Sequence, residues 1–140
     1  MHTSKTDKPV RQTKELKTMG LRKIRLELAR TPENPEGRSD CGYEFTAPLD
    51  DSGYLDSEDW QNLKAECSVR RFWQNEDDEH GRLVHHRGGQ WAFHYDDPAD
   101  LNEDEEPIFK FDRHAFVEGE YVSITEHDGV QRPFRVMSVS

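Results

Sequence analysis

Cysteine is scarce in this 140-residue chain: only Cys41 and Cys67 occur, and no C-x-x-C pair. That excludes a disulfide framework, and leaves two free thiols suited to a reducing cytoplasm. Long apolar runs are also missing. No stretch reaches the roughly 20 residues a helical membrane span needs, and the N-terminus lacks the apolar centre of a signal peptide. A soluble, cytoplasmic protein is expected. Hydrophobic residues make up 32% of the chain and the mean hydropathy is −1.06, values close to those of disordered chains. What offsets this is aromatic content. Three Trp, seven Phe and four Tyr bury large areas from few positions, and all of them lie after residue 42.

Charge is unevenly placed. The net charge is −10, yet residues 1–20 carry five Lys or Arg against two acids, +3, which leaves −13 on the remainder. An acidic body repels phosphate backbones, so nucleic-acid binding by the folded part is excluded as a leading reading. Residues 1–20, rich in Lys and Thr without apolar periodicity, read as a disordered basic tail, and residues 21–140 as one β-rich domain. Met19 is a second candidate start of translation. Residues 96–107 hold seven acids in twelve positions and read as a mobile acidic loop.

Short aromatic and β-branched runs alternate with turn signals along the domain. Ile24, Leu26 and Leu28 share one face of a first strand, and residues 43–47 form a second. Further runs at 69–73, 82–86, 90–95, 108–111, 121–125 and 134–139 are punctuated by Gly81, Gly88-Gly89, Gly119 and Asp128-Gly129. That is the pattern of a small antiparallel sheet or SH3-like barrel of about seven strands. Asp50-Asp51-Ser52-Gly53 reads as a turn, because calcium-loop spacing would put Pro48 where a carboxylate is required. One helix is expected over residues 57–67, capped by Asp56 or Ser57, with Trp60, Leu63 and Cys67 on one stripe. It should cover the sheet, Trp60 meeting Trp91 and Phe93. If Gly88-Gly89 is a two-residue turn, Val84, Trp91 and Phe93 face the core, while Leu83, His85, Ala92 and His94 face outward. Pro133 points to an edge strand or a late strand start.

The phrases Leu26-Glu27-Leu28-Ala29-Arg30-Thr31-Pro32, Gly42-Tyr43-Glu44-Phe45, Val69-Arg70-Arg71-Phe72-Trp73, Trp91-Ala92-Phe93-His94-Tyr95-Asp96 and Gly119-Glu120-Tyr121-Val122-Ser123-Ile124 together resemble an uncharacterised family of short acidic bacterial proteins. The resemblance implies no activity, site or cofactor. Separately, Phe116-x-x-Gly119-x-x-Val122-x-Ile124 followed by Phe134-x-Val136 looks like the hairpin of SH3-like or similar small barrels.

Three groups of residues are candidates for chemistry. His85 and His94 share a face of the expected hairpin and Asp96 continues it, a His-His-carboxylate set for a divalent transition metal. The same residues also read as polar positions on a solvated sheet face. Arg70 and Arg71 beside Trp73 form a basic, aromatic edge of the kind enriched at binding hot spots. Alternatively, one arginine pairs with the acids of residues 76–79 while Phe72 and Trp73 fill the core. Cys67 beside a histidine would imitate a nucleophile–base pair, but its place on the apolar stripe makes it a small hydrophobe. Gly88-Gly89 lacks the following helix of a phosphate cradle. With no catalytic motif, the expectation is a non-enzymatic cytoplasmic binding or accessory module. It would dock on another protein, without membrane contact or cofactor. A metal-dependent enzyme or metal sensor is the alternative.

Overall fold

The computed structural model describes residues 20–86, 89–96, 115–126 and 128–140, with the backbone alone at 105–109. The expected tail therefore lies outside the described residues except for Gly20, as do residues 97–104 of the acidic loop. Among the described residues, eight strands follow one another around a closed antiparallel barrel: β1 (Leu21–Leu28), β2 (Arg38–Pro48), β3 (Ser68–Phe72), β4 (Glu79–His85), β5 (Trp91–Tyr95), β6 (Glu105–Phe109), β7 (Tyr121–Thr125) and β8 (Gln131–Val139). Each pairs with its neighbours in sequence, and β8 returns to β1 through Leu26↔Val136 and Leu28↔Phe134. The protein is thus mainly β, with one short covering helix, α1 (Ser57–Leu63), inserted between β2 and β3. Among the described residues no helix is long and apolar enough to cross a membrane.

Alternation writes the barrel. Ile24, Leu26 and Leu28 of β1, Tyr43, Phe45 and Ala47 of β2, and Phe134 and Val136 of β8 are all buried on the inner side. Their polar neighbours face outward, as period-two patterning requires. The interior is aromatic: Tyr43 stacks on Phe93 at 5.3 Å, and Phe45 meets Phe93 and Phe116 edge to face. Two glycines permit the curvature. A Cβ at Gly42 would collide with the Leu26 carbonyl oxygen, and one at Gly81 with the carbonyl of His94. The bare backbone at these points lets adjacent strands bend around the barrel.

The helix is capped as its sequence predicts, with the Asp56 carboxylate accepting from Asp59 N at 3.1 Å. Its regular part stops at Leu63, however, and residues Lys64–Glu66 tighten into a 3-10 turn. The sheet claims the next residue: Cys67 O already accepts from Leu83 N at 2.8 Å. Trp60 is the one buried residue of α1. It donates from Nε1 to Leu83 O at 3.0 Å and meets Trp91 edge to face at 5.8 Å.

Three sequence expectations are corrected by strand pairing. The β4–β5 connection runs over residues 86–90, closed by His86 N donating to Gln90 O at 2.7 Å, so it is longer than a two-residue turn. This moves β4 by one residue, and a one-residue slip exchanges its faces. Leu83 opposes Phe93 and His85 opposes Trp91 on the inner side, whereas Val84 opposes Ala92. Cys41, two residues before the strand expected at 43–47, lies inside β2 and is buried. Glu105, Glu106 and Pro107, expected in the acidic loop, pair with His94, Phe93 and Ala92 as part of β6. Backbone pairing outweighs the charge of that run, since strand preference depends mainly on context. Pro133 sits inside β8, at the point where β1 pairing begins. Its carbonyl accepts from Ala29 N at 3.0 Å, and the missing N–H would face the same side, past the end of β1.

Candidate functional site

The corrected register decides where the histidines go. His85 points inward at the helix-covered end, 4.3 Å from the Trp91 ring and 5.9 Å from Trp60. Burial there holds its imidazole below the ordinary pKa, with a further push from His86. His94 opposes Arg82 on the outer face. Asp96 lies just past β5, where its N donates to His80 O and its carboxylate stands 3.9 Å from Arg82. His85 and His94 therefore occupy opposite faces of the sheet. Among the described residues, no group of three or more His, Cys, Asp or Glu is placed to hold a metal ion.

Arg70 and Arg71 are likewise divided by the strand, one outward and one inward. Arg70 joins a ladder across the outer face: it bonds Glu44 at 2.9 Å and Asp78 at 2.9 Å, and Glu44 in turn bonds Arg25 at 2.8 Å. Both guanidiniums lie over the ring of Phe72, at 4.4 Å and 4.9 Å. Arg70, through the strongest of these contacts, holds the Glu44 carboxyl below its usual pKa. Arg71 goes inside and is 4% exposed. It reaches Glu126 at 3.2 Å and Glu76 at 3.2 Å, with its guanidinium 4.3 Å over Trp73. Trp73 is half-buried against Phe134. The three residues expected to form a docking edge are thus committed to intramolecular contacts. The thiols offer no nucleophile. Both are buried, and burial pushes Cys67 up to about 11 and Cys41 in the same direction.

Two arrangements went unread in the sequence. The first is ionic and lies at the barrel end away from α1. Glu126, 3% exposed, accepts from Tyr43 Oη at 2.5 Å and Arg71 Nε at 3.2 Å on Oε2, and from Arg132 at 2.7 Å on Oε1. Arg132 also grips Asp128, which raises its pKa further above the ordinary guanidinium value. In the sequence Glu126 falls between the expected strand 121–125 and the Asp128-Gly129 turn. The signal was its phase: Val122, Ile124 and Glu126 continue one inward alternation, and all three are buried.

The second is an outer groove of about 380 Å³ between β1, the segment 29–38 and the β7–β8 hairpin. Glu27, Arg135 and Tyr121 lie in one row across β1, β8 and β7. Tyr121 is 55% exposed and Met137 40% exposed, and Arg30 and Arg38 close the groove from the other side. Glu27 is turned to Arg25 at 2.8 Å and Arg38 to Asp40 at 2.8 Å.

The chain matches no protein-family model, no curated protein and no solved structure.

Proposed function

We propose that the protein is a non-enzymatic binding module that docks on a partner protein, taking an acidic segment of that partner in the groove beside Tyr121. The observation that carries this reading is the composition of the groove. An exposed tyrosine and methionine are flanked by Arg30, Arg38 and Arg135 against Glu27 and Glu36, on a chain whose net charge is −10. Tyr, Met and Arg are the residues enriched at the centres of protein interfaces, and a local excess of arginine on an acidic chain favours an acidic partner over a basic one. Two further features support docking by side chains rather than by chemistry or strand addition. Among the described residues closure pairs every strand on both sides, leaving no free edge to extend. The thiols, moreover, are buried and protonated at neutral pH. Residence in a reducing cytoplasm belongs to the same reading, since neither thiol is in a disulfide.

A photo-crosslinking residue in place of Met137, used in the cells that make the protein, tests it. The expected result is one dominant crosslinked protein, mapped by mass spectrometry to an acidic stretch. That product should disappear in the Tyr121→Ala/Arg135→Glu double variant, whose melting temperature should change by no more than about 2 °C because both side chains are exposed. No dominant product, or one that survives the double substitution, overturns the reading.

A further inference from the structure

We propose that the barrel end away from α1 is a binding site for a small carboxylic acid with an aromatic or apolar body, occupied in this structure by the protein's own Glu126 side chain. This goes beyond the docking groove, which lies on the outer face. Tyr43, Arg71 and Arg132 reach the site from β2, β3 and β8 and place donors on both oxygens of one carboxylate. Each donor is held by something other than Glu126. Tyr43 is wedged between Phe93 at 5.3 Å and Phe134 at 5.1 Å. Arg71 is fixed by Glu76 and by the face of Trp73, and Arg132 by Asp128. The receptor is therefore assembled without the group it binds.

Glu126 differs from these. It starts the 126–130 connection, which closes through its backbone: its N donates to Val130 O at 3.0 Å, and its O accepts from Gly129 N at 2.7 Å. Neither of these backbone bonds involves the side chain, so the carboxylate can leave the site with both intact. When Glu126 withdraws, Arg71 keeps Glu76 and Arg132 keeps Asp128, but each loses a charge-assisted hydrogen bond that another anion would restore. Two guanidiniums and a phenol facing a flat pair of oxygens favour a carboxylate. The rings of Tyr43 and Trp73 beside the site favour an apolar or aromatic body over a bare ion.

The test uses the full chain and three probes: sodium benzoate, sodium acetate, and sodium chloride as an ionic control. The Nε–H resonance of Arg71 is followed by NMR. Competition from a self-ligand lowers apparent affinity by the fraction of molecules in which the site is open, so Glu126→Ala should bind benzoate at least about tenfold more tightly than wild type. Wild type should still saturate, benzoate should exceed acetate, and chloride should move the resonance without saturation. Tyr43→Phe removes a donor from benzoate and from Glu126 alike, so it is made in the Glu126→Ala chain, where it should weaken benzoate binding. If Glu126→Ala does not fold, Glu126→Gln, which keeps the shape and removes the competing charge, takes its place in both comparisons. Silence of wild type, whether or not Glu126→Ala binds, or equal responses to chloride and benzoate, overturns the proposal and leaves Glu126 as a fixed structural partner.

Discussion

At the helix-covered end of the barrel, Trp60 of α1 meets Trp91 and His85 edge to face, and its polar atom is spent on the Leu83 carbonyl. At the opposite end, Arg71, Arg132, Tyr43 and Glu126 converge in a hydrogen-bonded charge cluster. Both ends exclude water from the same aromatic interior, by different physics. Apolar closure gains from area removed from water and needs no partner of matched charge. Ionic closure repays the cost of desolvating its charges only while every member is present. The first end is therefore suited to stability, and the second to exchange of one anion for another.

Truncation separates the two most sharply. Trp60→Ala should cost about 3–5 kcal/mol, the range for removing a large buried aromatic. It strips the one buried residue from α1 and exposes Trp91. Urea unfolding followed by far-UV circular dichroism measures it. A loss below about 1 kcal/mol would show that the helix is an ornament on a barrel closed by other means.

The ionic end should respond differently to the same kind of injury. Arg71→Met keeps the length and packing against Trp73 but removes one of three donors to Glu126. Because Tyr43 and Arg132 remain, the cost should be about 3 kcal/mol, at the lower edge for breaking a buried pair. The double variant Arg71→Met/Glu126→Gln should recover part of that loss, since it withdraws both charges together. A double-mutant cycle gives the coupling directly. Additive losses would mean that the two groups do not sense one another, and the contrast between the two ends would fail.

How far the two ends were legible follows from their physics. The helix, its Asp56 cap and the contact of Trp60 with Trp91 follow from an apolar stripe and a capping residue, both local signals. The inner face of β1 follows from simple alternation. The face of His85 does not, because it depends on the length of a glycine-containing connection, and one residue more or less reverses every side chain of β4. Arg70 and Arg71 look like a single basic edge in the sequence, yet adjacent residues of a strand face opposite ways. Only the outer one can join the ladder with Glu44. Glu126 was hidden by company: turn residues follow it, and a carboxylate among them reads as solvated until its partners from β2, β3 and β8 are known. Signals carried by residues near in sequence were readable. Those that depend on which strands meet were not.

The smallest effect is a titration that only the helix-covered end should show. Burial beside Trp60 and Trp91 holds the His85 pKa below its ordinary value of 6.5, so the folded protein binds a proton there less readily than the unfolded chain. The unfolded state then takes up more protons as pH falls, and by linkage stability declines with it. The contribution is complete above the unfolded pKa, near neutrality, and is lost as pH drops through 6.5 toward the depressed folded value. His85→Phe should abolish that slope between about pH 7 and 5.5, while Trp60 and Trp91 retain an aromatic neighbour. Arg71→Met should leave the slope intact, because the ionic end gains no titrating imidazole from that change. Denaturant midpoints at several pH values in wild type and both variants measure this. A slope that persists in His85→Phe but vanishes in Arg71→Met would assign the proton to the ionic end, and the division of labour between the two ends would have to be redrawn.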